Sequence, residues 1–331
     1  MKIVAGLGSI DEYIRFAEAG ADEFFCGYVP YSWTKKYGTV LPLNRREVLC
    51  YNVQLGAFSE LEILSEMVKK YKKPVHLTFN SLYYIPEQYP EIAQIIRNCM
   101  ELGFKSYIIA DPALLVYLRE NDINCEIHLS GECGEVNSQM VKTLGKLKLK
   151  RVIFHRKNTF EDMKAVVDQC GKNSLEGNSK NNKETKDMEF EAFALNEKCQ
   201  FTGAFCNSLH CDEMGYLCKV PYELGVQKTD KSTDIMLETK MNLNKDMYDD
   251  SGYLCGETGC GLCALYHLKQ AGITHLKLVG RGNYTDYMEK DIRNLRIALQ
   301  ILEKSALEAE FQEKMRSALF PGGCSGNCYY L

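Results

Sequence analysis

Residues 195–218 read LNEKCQFTGAFCNSLHCDEMGYLC and carry Cys199, Cys206, Cys211 and Cys218. Thiolates in such numbers bind soft metals or exchange disulfides. Of fifteen cysteines, Cys26, Cys50, Cys99, Cys125, Cys133 and Cys170 are scattered singly, as small buried side chains are. The other nine follow residue 198, the rest being Cys255, Cys260, Cys263, Cys324 and Cys328. The count is odd, and the opening MKIVAGLGSIDEY turns polar too early for the apolar core of a signal peptide. A reducing cytoplasm is therefore the expected compartment, and metal the expected use of the thiols. Structural zinc is one candidate: CGLC at 260–263 has C-x2-C spacing, although such pairs are absent from 199–218. In PGGCSGNCYYL, Cys324 and Cys328 have only Gly, Ser and Asn around them. That ending reads as a loose tail, a cap on a metal centre, a second metal site or a redox pair.

Thiols need elements to position them. The chain has 331 residues, 45% of them hydrophobic, so a sizeable core can form. A net charge of −4 gives no invitation to nucleic acid or to an anionic membrane, and no apolar run is long enough to span one. Strand-like runs occur at 2–6, 23–28, 75–80, 106–111, 125–130, 151–156, 188–195 and 275–281, mostly each followed by a helical pattern. Eight such units predict a (β/α)8 barrel, with an open doubly wound sheet as the alternative. No G-x-G-x-x-G follows the first strand, which argues against a dinucleotide site. The polar stretch 171–187 reads as a surface loop. Residues 196–262 form a long excursion between the seventh and eighth strands. The expected organisation is one barrel domain over 1–305, with a cysteine-rich excursion at 196–263 and a C-terminal extension at 306–331.

Alternation along the strands sends polar residues to the lumen. His76, Thr78 and Asn80 oppose Val75, Leu77 and Phe79; Glu126, His128 and Ser130 oppose Ile127 and Leu129. Glu189 and Glu191 oppose Phe190 and Ala192, and Lys277 and Arg281 oppose Leu276 and Leu278. Charged side chains are costly in a lumen without partners, so a ligand or a satisfied network is expected there. His76 and Glu189 sit low on their strands and read as structural. Asn80, His128, Ser130, Glu191 and Arg281 lie nearer the carboxyl ends, where barrel enzymes keep their chemistry. Asp111, just before Pro112, reads as a helix N-cap. Alternation lets one of His155 and Arg156 face the mouth and an anionic substrate.

EAFALNEKCQFTGAFC places Glu191, Phe193, Cys199 and Cys206 in the order and spacing of the signature of peptidase family U32, which the chain resembles. Asn196, Glu197 and Lys198 depart from the small residues usual there. AEAGADEFFCG, HLTFNSL, IIADPALL, HLSGECGEVNSQ, CKVPYELG and LCALYHLKQAGITHLKLVGR resemble further family segments, in the same order over about 280 residues. The resemblance implies a (β/α)8-like barrel carrying a [4Fe–4S] cluster on four cysteines, here Cys199, Cys206, Cys218 and Cys263. Cys211, Cys255 and Cys260 are substitutes. It also implies oxygen-independent hydroxylation, which in relatives acts on RNA bases or quinone precursors, some using prephenate as hydroxyl donor. The alternatives are a collagenase-like peptidase and a cluster-carrying partner subunit of a hetero-oligomeric hydroxylase.

The expected activity is hydroxylation of a small molecule or peptide. Arg281 and Lys277 would hold a carboxylated donor or substrate, and His128 or Glu191 would transfer a proton. A peptidase would need a thiol with a histidine base; Cys133 near His128 is the one pair in reach, and no H-E-x-x-H occurs.

Overall fold

A computed structural model describes residues 1–47, 53–134, 136–170, 188–199, 206 and 247–330. Its strands are β1 (Lys2–Leu7), β2 (Glu23–Tyr28), β3 (Gln54–Leu55), β4 (Val75–Phe79), β5 (Ser106–Ile109), β6 (Glu126–Leu129), β7 (Leu149–Ile153), β8 (Glu189–Leu195) and β9 (His275–Leu278). All pair in parallel in the order β1-β9-β8-β7-β6-β5-β4-β2-β3, and β1 also pairs with β2. Eight strands thus close into a (β/α)8 barrel. The two-residue β3 lies beside β2 outside the eight and was not expected from sequence.

All eight strand-like runs are strands, but several ladders stop short of the runs. Asn80, Asp111, Ser130, Arg156 and Arg281 lie just past the last paired residues, at the carboxyl rim. Parallel strands need crossover helices, and those helices bury one face of each strand. α1 (Glu12–Ala19), α2 (Tyr31–Tyr37), α3 (Phe58–Tyr71), α4 (Gln88–Glu101), α5 (Pro112–Glu120), α6 (Ser138–Gly145), α7 (Phe160–Cys170), α8 (Leu265–Gln270) and α9 (Thr285–Lys304) form the outer ring. Asp111 caps α5 by accepting the Ala113 N–H at 2.9 Å, with Pro112 at the first helical position. α9 turns Met288, Ile292, Leu295, Leu299 and Leu302 inward at helical spacing and packs on α1.

The main core lies between barrel and helices, from Ile3, Phe24 and Leu77 to Phe190 and Leu276. A second apolar cluster of Val4, Phe25, Ile108, Ile153 and Phe193 is joined by Tyr329 from the far end of the chain. After α10 (Glu308–Leu319) the backbone returns to the barrel. Cys260 donates its N–H to the Asn327 carbonyl, and Tyr329 donates to the Cys260 carbonyl, both at 2.8 Å. Residues 171–187 and most of the excursion, including Cys211 and Cys218, lie outside the described residues. Among the described residues no helix is long and apolar enough to cross a membrane.

Candidate functional site

The floor of the lumen is ionic. Arg151, rising from β7, donates through Nη2 to Glu23 and Glu189, both at 2.7 Å, through Nε to Glu189 at 2.9 Å, and through Nη1 to Glu191 at 2.8 Å. Glu23 also meets His76 Nε2 at 3.0 Å and His275 Nε2 at 3.3 Å, while Lys2 approaches from outside at 2.7 Å. Burial alone would raise the Glu23 pKa, but the two imidazoles and Arg151 hold it well below the usual carboxylate range. His76 and Glu189 therefore serve the structural role expected of them. Glu23 and Arg151, the hubs of the network, were not singled out from sequence.

One layer up, Lys277 donates to Glu191 at 3.1 Å and lies over the Phe25 ring, 3.5 Å from its centre. Burial opposes the Glu191 charge, yet Lys277 and Arg151 hold its carboxyl at about 2. A carboxylate committed to two cations is a poor proton carrier, so the expected proton-transfer role does not suit Glu191. His128 lies tilted against His76, with ring centres 4.5 Å apart and the planes at 54°. Burial, together with His76 and Arg151, drives its pKa well below the ordinary histidine value, so the ring is neutral; its Nδ1 has no partner among the described residues.

Arginines crowd the mouth. Arg281 is buried, and its two long hydrogen bonds go to neutral oxygens, Thr78 Oγ1 at 3.4 Å and the Arg46 carbonyl at 3.5 Å. No carboxylate lies within ion-pair distance of it among the described residues. Burial, with Arg46 alongside, lowers its pKa to about 10. Glycines make its room: a Cβ on Gly27 would come 2.5 Å from Arg281 Nη1, and one on Gly6 would come 3.1 Å from its Cγ. Asn44 is fully buried beside this space, and neither of its side-chain polar atoms has a partner among the described residues. Glu47, three residues on, is pushed by burial to about 7, although the Asn44 and Leu43 amides and Arg281 pull the other way. Asn80 accepts the Arg45 N–H at 3.0 Å. Arg156 lies over the Phe193 ring, 3.8 Å from its centre, and 3.9 Å from Glu132. His155 is buried too, its Nδ1 accepting the Lys157 N–H at 3.2 Å. Ser130 is spent capping the 3-10 turn at Gly131–Cys133.

Of the cysteines expected to bind iron, Cys206 is buried with its carbonyl accepting from Arg45 Nη2 at 2.8 Å, and Cys199 lies in the field of Arg156. Cys263 instead faces a cavity shared with Cys260, Cys324 and Cys328. Among the described residues no three His, Cys, Asp or Glu side chains are drawn together tightly enough to hold a single metal ion. Cys133 is no nucleophile: its thiol donates to the Ala110 carbonyl at 2.8 Å, and burial, with Asp111 and Glu132, pushes its pKa to about 12.

Comparison with known proteins adds identity to this geometry. The tRNA hydroxylation protein P of Escherichia coli (strain K12) is 26% identical over 200 residues; the match covers 58% of this chain and 36% of that protein's length. The solved structure of the U32 peptidase Mk0906 aligns at 11% identity and a TM-score of 0.41, covering 59% of this chain and 68% of the other. The model of peptidase family U32 matches residues 8–329, nearly the whole length. The chain belongs to peptidase family U32.

Proposed function

We propose that the chain is an iron–sulfur enzyme of the hydroxylase type, taking a small carboxylated ligand at the barrel mouth. The observation that carries the ligand class is Arg281: a buried guanidinium with no carboxylate partner among the described residues and only two long hydrogen bonds to neutral oxygens. A planar fork of unspent donors suits a carboxylate, and Asn44, buried with an unbonded amide, adds both a donor and an acceptor. His128, neutral and without a partner at Nδ1 among the described residues, is a lumen group left to hydrogen-bond the ligand as a neutral imidazole. Lys277 and Glu191 neutralise each other below it.

The donor set fits an iron–sulfur cluster in type, since Cys199 and Cys206 supply thiols, Cys199 in the field of Arg156, whose charge offsets that of a thiolate, and Cys206 on backbone held by Arg45. The ligands would be Cys199, Cys206 and Cys218, with Cys263 or one of Cys211, Cys255 and Cys260 as the fourth. Bound there, the cluster supplies electron transfer. The hydroxylase reading is supported by family membership and by the relative that bears that name.

The test is anaerobic titration of wild type and Arg281→Lys with small mono- and dicarboxylates. Losing one charge-assisted hydrogen bond costs about 1.5–3 kcal/mol, which is about 10- to 150-fold in Kd. Equal affinities in the two proteins would remove Arg281 from ligand binding and the ligand class with it.

A further inference from the structure

On the outer side of the excursion's root, four cysteines line one cavity: Cys260 and Cys263, spaced C-x2-C at the start of α8, and Cys324 and Cys328, spaced C-x3-C after α10. We propose that these four thiols ligate an iron–sulfur cluster of their own, distinct from any cluster at the barrel mouth. The inference goes beyond the proposed function and does not depend on it.

The backbone brings the two pairs together. Residues 260 and 328 form a parallel bridge, secured by the Cys260 N–H to the Asn327 carbonyl and the Tyr329 N–H to the Cys260 carbonyl, both 2.8 Å. Ser325 Oγ donates to the Gly256 carbonyl at 2.8 Å, and Asn327 Nδ2 to the Glu257 carbonyl at 2.7 Å. Gly323 and Gly326 have φ of 105° and 69°, a left-handed backbone on either side of Cys324 that side chains other than glycine rarely adopt. Those turns fold the C-x3-C segment back so that both of its thiols reach the cavity. The ending that reads as a loose tail is thus a shaped loop, fastened at Ser325, Asn327 and Tyr329, with the outermost thiol, Cys324, still exposed to solvent.

Two further observations point to a ligand. Arg316, which also lines the cavity, donates from Nη2 to Cys263 Sγ at 3.5 Å and lies in the field of Cys324 and Cys328. A guanidinium there offsets negative charge that neutral thiols would not carry. The thiols also surround a space rather than meet at a point. A single zinc ion with Zn–S near 2.3 Å would need its four sulfurs within about 3.8 Å of one another. No three donors among the described residues are gathered so. A cubane core is bulkier and holds its four cysteines further apart.

The assignment takes Cys263 and Cys260 away from the mouth set. Cys255 is also unavailable there, being buried against Tyr253, Asn294 and Asp291. The fourth place beside Cys199, Cys206 and Cys218 then falls to Cys211.

The experiment uses the full chain, made and reconstituted with iron and sulfide without oxygen, as wild type, Cys324→Ser/Cys328→Ser and Cys199→Ser/Cys206→Ser. The tail variant is expected to contain about four irons and four sulfides fewer per chain than wild type. The mouth variant is expected to retain the iron that the tail variant loses. Alkylation of the intact protein gives a second readout that needs no substitution: Cys324 should react quickly in chelator-treated protein and slowly in the loaded form. Unchanged iron in the tail variant, zinc in place of iron on these thiols, a Cys324–Cys328 disulfide, or equal alkylation in both forms would each overturn the proposal. Failure of the mouth cluster alone would appear as unchanged iron in the mouth variant, which bears on the proposed function and not on this site.

Discussion

Replacing Arg151 by methionine tests whether the ionic floor holds the barrel together. Its guanidinium makes four hydrogen bonds to Glu23, Glu189 and Glu191, and its side chain is 2% exposed. Without it, Glu191 keeps Lys277, Glu23 keeps the exposed Lys2 and two histidines, and Glu189 keeps a longer contact to Lys150 at 3.7 Å, so three carboxylates face one buried cation, Lys277. Removing one partner of a buried ion network costs about 3–5 kcal/mol. The Glu191 carboxyl, held at about 2 against an ordinary 4.5 by Lys277 first and Arg151 second, contributes about 3 kcal/mol in all, of which only a part runs through Arg151. Because that pKa is depressed in the fold, the contribution is present above pH 4.5 and lost as pH falls towards 2. The deficit of Arg151→Met should therefore be full at neutral pH and narrow in acid. Urea unfolding, followed by fluorescence of the buried Trp33 and by circular dichroism, would measure it. Adding Glu23→Gln removes one of the three carboxylate charges while leaving an amide to bond the histidines, and should restore at least about 1 kcal/mol. A loss under about 1 kcal/mol, or a double variant no more stable than the single one, would refute the reasoning.

Glu47 should make ligand binding pH-dependent. Protonated below its pKa of about 7 and ionised above it, it competes for Arg281 only in the alkaline range. Affinity for a carboxylate should fall up to about tenfold as pH rises from 6 to 8, and Glu47→Gln should flatten the profile. Gly27→Ala should fold, since the atom its Cβ meets first is the far end of the Arg281 side chain. It should nonetheless weaken carboxylate binding by displacing that guanidinium, as isothermal titration would show. Cys133→Ala should leave ligand affinity unchanged, and native alkylation near pH 8 should spare Cys133, whose thiol is raised to about 12. Rapid modification there would reopen the peptidase alternative.

The barrel was legible because each strand carries its own alternation, a local signal that survives without neighbours. Lys277, His128 and Glu191 could be aimed at the lumen for the same reason. Their partners could not. Glu23 opens an otherwise apolar run, EFFCGY, and meets an arginine 128 positions away. Arg45, Arg46, Glu47 and Asn44 sit where there is no periodicity to read, and only closure of the barrel brings them to Arg281. Strand ends were overextended because apolar patterning runs on past the last ladder hydrogen bond. Cys324 and Cys328 looked loose because nothing adjacent in sequence buries them; their loop is held in place by Gly256, Glu257 and Cys260.

The stem of the excursion is pinned independently of what lies beyond it. Asn196 donates to the Gly259 carbonyl at 2.8 Å and Lys198 to the Thr258 carbonyl at 2.7 Å. Glu197 reaches Thr258 Oγ1, 61 positions along the chain, at 3.1 Å. A loop closed at its base meets the rest of the protein as a fixed pair of ends, and doubling its length adds only about 0.6 kcal/mol of closure entropy. Chain inserted inside the stem need not disturb strand register or the ionic floor. This is a place in the barrel where chain can be added or exchanged at little cost in closure entropy, and where a reporter or affinity tag can be built in with the stem left intact.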